Sequence, residues 1–167
     1  QWYHVALTSN GSTVKLYLNS VEVGTGSVST TNTSQNILIG DSITWTTNYD
    51  GLIDQVRIFN KEASPSEITT LYNETTTTAN TLQVLGDTSC LAAYTFEGNA
   101  NDLSTNYNGT ASNVIYDYNG TASNVTYATG KFDKAAVFNG TSSRINLSNN
   151  PINGLSSVSF SFWLKPS

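Results

Sequence analysis

Residues 2–19 read WYHVALTSNGSTVKLYLN, and this stretch indicates the class of fold of the chain. At its centre lies the pair Asn10–Gly11, and over residues 13–19 apolar and polar side chains alternate. An Asn-Gly pair tolerates the positive φ of a tight turn, and a period of two is typical of a strand with one buried face. We therefore predict a β-hairpin whose second strand buries Val14, Leu16 and Leu18.

Short runs of β-branched and aromatic residues recur along the chain between Gly, Asn and Ser, which favour turns. They predict further strands at Val21–Val23, Asn36–Gly40, Leu52–Phe59, Leu91–Phe96, Ala135–Phe138, Arg144–Leu147 and Ser157–Leu164. One short helix is predicted near residues 64–72, because Ser64 and Glu67 form a Ser-x-x-Glu capping box around Pro65. The sequence therefore predicts an all-β protein with a single short helix.

The composition excludes several classes of partner. The chain has 167 residues, a formal net charge of −5 and 11% charged residues, and its polarity comes mostly from Thr, Ser and Asn. This acidic balance leaves no basic footprint to neutralise phosphates, so nucleic acid and anionic membranes are poor partners. Without an apolar run of about 18 residues, no membrane span is predicted. Abundant hydroxyls and amides favour an extracellular, cell-surface or virion-surface protein.

A threonine-rich stretch divides the chain. Residues 74–81 read ETTTTANT and show no apolar periodicity, which is typical of a solvated connection. We therefore divide the chain into residues 1–74, a linker at 75–89, and residues 90–167. Within the last segment, YNGTASNV at 107–114 recurs at 118–125. Because this odd shift would reverse the faces of a strand, we predict that the extra copy forms an added hairpin or a protruding loop.

Motifs of a single family occur in both segments. In residues 1–74 they are Gln1–Ala6, Val14–Asn19, Ile37–Gly40, Gly51–Asn60 and Ser64–Ile68. In residues 90–167 they are Ala93–Ser104, Gly130–Gly140 and Phe160–Lys165. The first set resembles the C-terminal half, and the second the N-terminal half, of a laminin-G-like domain of the concanavalin A-like lectin/glucanase superfamily. The resemblance implies an antiparallel jelly-roll sandwich.

The two halves stand in reverse order, because the segment that resembles the end of the family precedes the one that resembles its beginning. Two arrangements account for this order. In the first, the chain holds the second half of one tandem repeat, the linker and the first half of the next repeat. In the second, the halves fold together as a circularly permuted sandwich, inside one chain or between neighbouring chains. We favour the repeat array, in which an isolated half would expose the apolar face of its sheet.

One carboxylate stands among apolar strand residues. Asp54 has the parity of Val56 and Ile58, so it is expected to face the core, where it must be hydrogen-bonded, paired or metal-bound. The resemblance implies a structural calcium ion held by Asp54, Asp102 and Asn101, with further oxygen ligands from the surrounding Asn-rich loop. In the alternative, Asp54 accepts hydrogen bonds from backbone amides or pairs with a nearby cation.

Aromatic side chains in turn-rich stretches are the candidates for ligand binding. Aromatic rings stack on the faces of sugars, and neighbouring amides bind their hydroxyl groups. The candidates are Trp45, Tyr49, Tyr107 and Tyr118.

The acidic residues and the single histidine do not predict an enzyme. None of the twelve acidic residues falls in the paired pattern that glycoside cleavage needs. The lone His4 is expected to be structural, and the single cysteine, Cys90, to be a small buried apolar residue.

These features predict a non-catalytic extracellular recognition or adhesion module that binds a glycan or a surface protein. The reversed halves motivate an alternative from another class, a fibre or filament subunit whose half-domains complement those of neighbouring copies. Both functions follow from analogy of fold and pattern, because a fold does not by itself determine function.

Overall fold

The computed structural model describes residues 1–28, 37–41, 48–76, 79, 81–107, 109–113, 125–147 and 149–167. These residues form eleven strands and one helix. The elements are β1 (Tyr3–Ser9), β2 (Thr13–Leu18), β3 (Val21–Ser27), β4 (Leu38–Ile39), β5 (Asp50–Phe59), α1 (Pro65–Tyr72), β6 (Cys90–Tyr94), β7 (Gly109–Asn113), β8 (Thr126–Thr129), β9 (Lys134–Asn139), β10 (Ser143–Leu147) and β11 (Val158–Pro166).

The strands form two antiparallel sheets, and the all-β prediction is confirmed. The larger sheet has eight strands in the order β3-β2-β1-β11-β5-β9-β8, with β6 also paired to β5, and the smaller sheet has the order β4-β10-β7. The main core lies between the two sheets. Val56 and Ile58 of the larger sheet pack there with Ile39, Ile145 and Leu147 of the smaller one.

Strands from both ends of the chain share the larger sheet. Strand β1 pairs with β11 from Tyr3↔Leu164 to Ser9↔Val158, and β5 pairs with both β6 and β9. Each segment thus covers strand edges that the other would leave unpaired. This is the arrangement of the permuted alternative, and it differs from the separate halves of the favoured repeat array. The division of the chain into two half-domains stays a prediction.

A bulge in β5 changes the expected faces of that strand. The pairing of β5 with β11 shifts register just after Asp54↔Trp163, and Gln55 has a φ of 52°. An extra residue in one strand interrupts the alternation of side chains. Ile53 and Val56 therefore both reach the main core, and Asp54 lies on the opposite, outer face of the sheet. The expectation that Asp54 shares the face of Val56 is wrong for this reason.

Helix α1 covers part of that outer face, and its predicted capping box is confirmed. The Ser64 hydroxyl accepts from the Glu67 amide at 3.3 Å, and the Glu67 carboxylate accepts from the Ser64 amide at 2.8 Å. Ile68 and Leu71 are buried in a second cluster, with Ala6, Tyr17, Phe59, Ala63, Cys90 and Ala93. Cys90 is buried, as expected.

The segment after α1 is not solvated throughout. Ala79 is buried, and Leu82, Val84 and Leu85 pack against the cluster under α1. Arg57 also donates a hydrogen bond to the Ala79 carbonyl at 2.8 Å. The threonine-rich pattern does not predict these contacts, because they are made by apolar residues at its end and beyond it.

The first hairpin forms, but the buried side of its second strand is not the predicted one. Asn10 Oδ1 accepts from the amides of Ser12 and Thr13, which closes the turn. Tyr17 is buried in the cluster under α1, whereas Leu16 and Leu18 are 41% and 39% exposed. Leu16 lies on the inner face, where it lines an apolar pocket together with Val56 and Ile58.

The duplicated motif is described only in its first copy. Strand β7 lies within this copy and pairs with β10, from Ser143↔Asn113 to Leu147↔Gly109. The second copy falls mostly at residues 118–124, outside the described residues, so its placement as an added hairpin or loop stays a prediction. Within the described part of the chain, the single helix is too short to cross a lipid bilayer.

Candidate functional site

Asp54 is held by backbone amides of the turn before β9. Its side chain is fully buried, and Oδ2 accepts from the amides of Lys131 at 2.9 Å and Phe132 at 3.0 Å. Burial raises the pKa of Asp54 to about 7, while these amide donors act in the opposite direction. A side chain at Gly130 would place Cβ only 2.7 Å from Oδ2, so this approach requires a glycine.

Asp102 is also buried, with a different set of donors. Its Oδ1 accepts from the Ala93 amide at 2.8 Å, and its Oδ2 accepts from the Ser104 hydroxyl and, at 3.3 Å, from the Tyr107 amide. Asn101 is exposed, and its amide donates to Asn99 Oδ1. Asp102 therefore ties its own loop to β6.

The predicted calcium set does not fit as a unit. The two carboxylates have separate donors, and both oxygens of Asp102 accept hydrogen bonds. Of the three predicted ligands, only Asp54 has a buried oxygen (Oδ1) without a hydrogen-bond partner among the described residues, whereas calcium takes six to eight oxygen ligands. No group of three His, Cys, Asp or Glu side chains arranged for a metal occurs in the described ranges. Calcium stays a prediction.

The four predicted aromatic residues do not form one described site. Tyr49 and Tyr107 are partly buried, and both pack against the main core. The Tyr49 hydroxyl donates to the Leu52 carbonyl at 3.2 Å, and its ring meets Phe138 edge-on. Trp45 and Tyr118 lie outside the described residues. Both described tyrosines thus serve packing, and their ligand-binding role stays a prediction.

A buried polar cluster lies on the outer face beneath the end of α1. Arg57 forms an ion pair with Glu74, with Nη1 2.8 Å from Oε2, and the two side chains are 1% and 2% exposed. The ring of His4 is fully buried, with Nε2 2.8 Å from Ser161 Oγ. Burial, and then the charge of Arg57, lowers the pKa of His4 to about 4. His4 is therefore neutral near pH 7, and it packs against Trp163 with ring centroids 5.1 Å apart.

Above this cluster lies a surface pocket of about 290 Å³, which we name the Trp163 pocket. Its lining includes Trp2, Asn19, Tyr72, Asn73, Lys131 and Trp163. The rings of Trp163 and Tyr72 stack at 5.7 Å with an interplanar angle of 23°, and Lys131 Nζ lies 4.3 Å from the Trp163 ring centroid. Aromatic rings, the three side-chain amides of Gln1, Asn19 and Asn73, and one lysine therefore meet at a concave surface.

Trp163 is the deepest member of this pocket. It is 4% exposed, and its Nε1 is buried without a hydrogen-bond acceptor among the described residues. A buried indole N–H usually has an acceptor, so this unpaired donor is a cost to the fold, and because it is buried a ligand in the pocket does not reach it. The only sequence signal was that Trp163 has the opposite parity to the apolar residues of β11. The other lining residues are too far apart in the sequence for spacing to connect them.

Comparison with known proteins gives one match. Residues 1–69 match a laminin G family model described as the concanavalin A-like lectin/glucanases superfamily. Neither the curated proteins nor the solved structures include a significant match. The matched residues contain β1 to β5 and most of α1, so they contribute strands to both sheets. This similarity covers the first 69 of the 167 residues, and it points to a carbohydrate- or protein-binding module.

Proposed function

We propose that the chain is a non-catalytic extracellular recognition module that binds glycans through the Trp163 pocket. The observation that carries this proposal is the meeting of rings and amides at one concave surface. Sugars present apolar C–H faces that pack on aromatic rings, and hydroxyl groups that pair with amides. The match of residues 1–69 to a lectin-containing superfamily supports the same class of ligand.

Three buried carboxylates make structural contacts, which supports a binding role over a catalytic one. Asp54 and Asp102 both accept hydrogen bonds from backbone amides. The Glu74 carboxylate is paired with Arg57. Glycoside cleavage instead needs two carboxyl groups about 5 to 10 Å apart that are free to reach the sugar. These three groups serve the structure of the chain.

A glycan array tests the proposal. The dispersed chain is applied as wild type and as two matched variants, Asn73→Ala in the pocket and Asn60→Ala at another exposed position. We expect wild type and Asn60→Ala to bind the same glycans, and Asn73→Ala to bind them more weakly. A blank array, or equal signals from both variants, contradicts glycan recognition at this pocket.

A second candidate function, assembly into fibres, is favoured by the edge of the larger sheet. Strand β3 is the terminal strand of that sheet and is exposed along its whole length. Val21 and Val23 on it are 63% and 54% exposed. An exposed edge strand with apolar side chains is a template for pairing with another chain. We therefore propose that copies associate through β3.

Light scattering over a range of concentrations tests assembly. We expect particle mass to rise with concentration for wild type and for Leu103→Lys, which changes an exposed leucine away from β3. Val23→Lys should stay monomeric, because a charge on an edge strand opposes pairing. Wild type that remains monomeric at all concentrations contradicts this function.

A further inference from the structure

Resting on the proposed glycan recognition, we infer that the Trp163 pocket takes a single sugar residue that carries a carboxylate, with Lys131 as its counter-ion. Four properties of the pocket lead to this class of ligand. They are the lack of an acidic partner for Lys131, the charge of the neighbouring residues, the position of the polar donors and the volume of the pocket.

The charge of Lys131 is held at the pocket without an acidic partner. Its Nζ lies 4.3 Å from the Trp163 centroid and 5.6 Å from the Phe132 centroid. Within the described ranges, no carboxylate lies within ion-pair distance of it, whereas Lys15, Arg57, Lys61 and Arg144 all have one. A cation resting on ring faces keeps its capacity to pair with an incoming anion.

The residues beneath and beside the lysine keep this charge in place. Asp54 accepts from the Lys131 amide and fixes its backbone. Glu74, which directly follows the pocket residue Asn73, directs its carboxylate to Arg57. The charge of Glu74 is thus already neutralised by a buried partner.

Polar donors stand beside the cation. Asn19 Oδ1 accepts from the His4 amide at 2.9 Å, which orients the side chain and leaves its NH₂ group as a donor. Asn73 adds a second side-chain amide, whereas the Trp163 indole N–H is buried and out of reach of a ligand. Donors to oxygen therefore prevail, which suits a carboxylate and the ring hydroxyls of a sugar.

The volume limits the size of the ligand. At about 290 Å³ the pocket is at the lower end of the range for small-molecule sites, which begins near about 300 Å³. One sugar residue fills such a space, and a longer oligosaccharide extends out of it. Recognition therefore concentrates on one residue, either a chain end or a side branch.

NMR titration of the full chain tests the inference with three probes: methyl β-D-glucuronide, methyl β-D-glucoside and sodium acetate. We expect the glucuronide to shift the Trp163 indole N–H and to bind about fivefold more tightly than the glucoside, the upper range for one exposed ion pair. Lys131→Gln should make the two sugars equal. Lys165→Gln, which removes another exposed lysine, should keep the difference.

Three results would overturn the inference. If wild type binds the two sugars equally, the charge of Lys131 plays no part in recognition, whereas the proposed glycan recognition is not contradicted. Acetate binding as tightly as the glucuronide at the same resonances reduces the site to an anion contact without a sugar. Binding that leaves the Trp163 indole unshifted places the ligand elsewhere, and if the glycan array is also blank, the proposed function fails as well.

Discussion

Replacing Glu74 by Gln should destabilise the chain strongly, because Arg57 then stays buried without its counter-charge. The carboxylate oxygens lie 2.9 and 2.8 Å from Arg57 Nη1, and both side chains are almost inaccessible. Removing one partner of such a pair costs about 3–5 kcal/mol of unfolding free energy. For a chain of this size, that corresponds to a melting temperature lower by about 6–20 °C.

The matched control is an exposed ion pair on the first hairpin. Lys15 Nζ lies 3.9 Å from Glu22 Oε2, with side chains 35% and 42% exposed. Glu22→Gln should therefore change the unfolding free energy by less than about 1 kcal/mol. Chemical denaturation followed by circular dichroism measures both variants, provided that the slope with denaturant stays constant.

A double variant separates charge burial from packing. Arg57→Met combined with Glu74→Leu removes both charges and keeps apolar volume, so it should recover most of the stability lost in Glu74→Gln. If the unfolding free energy of Glu74→Gln lies within about 1 kcal/mol of the wild-type value, the ion pair is solvated in solution, and the packing of Glu74 and Ala79 against the sheet is wrong.

Three further predictions concern the outer face of the sheet. Gly130→Ala should lower the unfolding free energy by about 1–3 kcal/mol, because its Cβ would lie 2.5 Å from the Lys134 backbone. The control Gly24→Ala has open space around its Cβ and should lower it far less, and thermal melting compares the two variants. Burial lowers the pKa of His4 from 6.5 to about 4. The neutral imidazole therefore stabilises the fold above pH 6.5, and this contribution is lost as the pH falls towards 4. Over that pH range wild type should lose about 3 kcal/mol of unfolding free energy relative to His4→Gln, measured by denaturation at each pH. If calcium binds at Asp54, the melting temperature should be higher in calcium chloride than in EDTA, and this difference should disappear in Asp54→Asn. Equal melting temperatures of wild type in the two solutions would contradict the calcium prediction.

Local sequence signals predicted the elements that local physics determines. The Ser64–Glu67 capping box located α1, and the alternation in Leu52–Phe59 and Ser157–Leu164 located β5 and β11. Strand β8 was missed because Thr126–Thr129 has little apolar character, and its only described pairing is with β9. The sequence pattern therefore predicted the strands that have apolar side chains to bury, and it missed a strand that has few.

The faces of two strands depended on tertiary structure. A period of two placed Asp54 with the core, but the bulge at Gln55 moves it to the outer face. The same periodicity favoured Leu16 over Tyr17, because pattern alone does not reveal which face of a sheet a helix will cover. In the structure, α1 covers the side of Tyr17.

The candidate site was the least predictable part of the molecule. Residues 2, 19, 72, 131 and 163 meet at the Trp163 pocket through the pairing of β1 with β11, the packing of α1 and the hydrogen bond that ties the turn before β9 to Asp54. The sequence favoured aromatic residues in turn-rich stretches, whereas the rings of this pocket lie on a strand, beside a strand and at a helix end. Composition therefore gave no signal for the location of this pocket.

The antiparallel pairing of β1 and β11 has a practical consequence for protein engineering. Tyr3 lies opposite Leu164, so the first and last residues of the chain end on the same side of the sheet. A short Gly-Ser peptide joining Ser167 to Gln1 would make a covalent ring without disturbing either strand. Such backbone cyclisation restricts the unfolded chain and therefore raises resistance to heat.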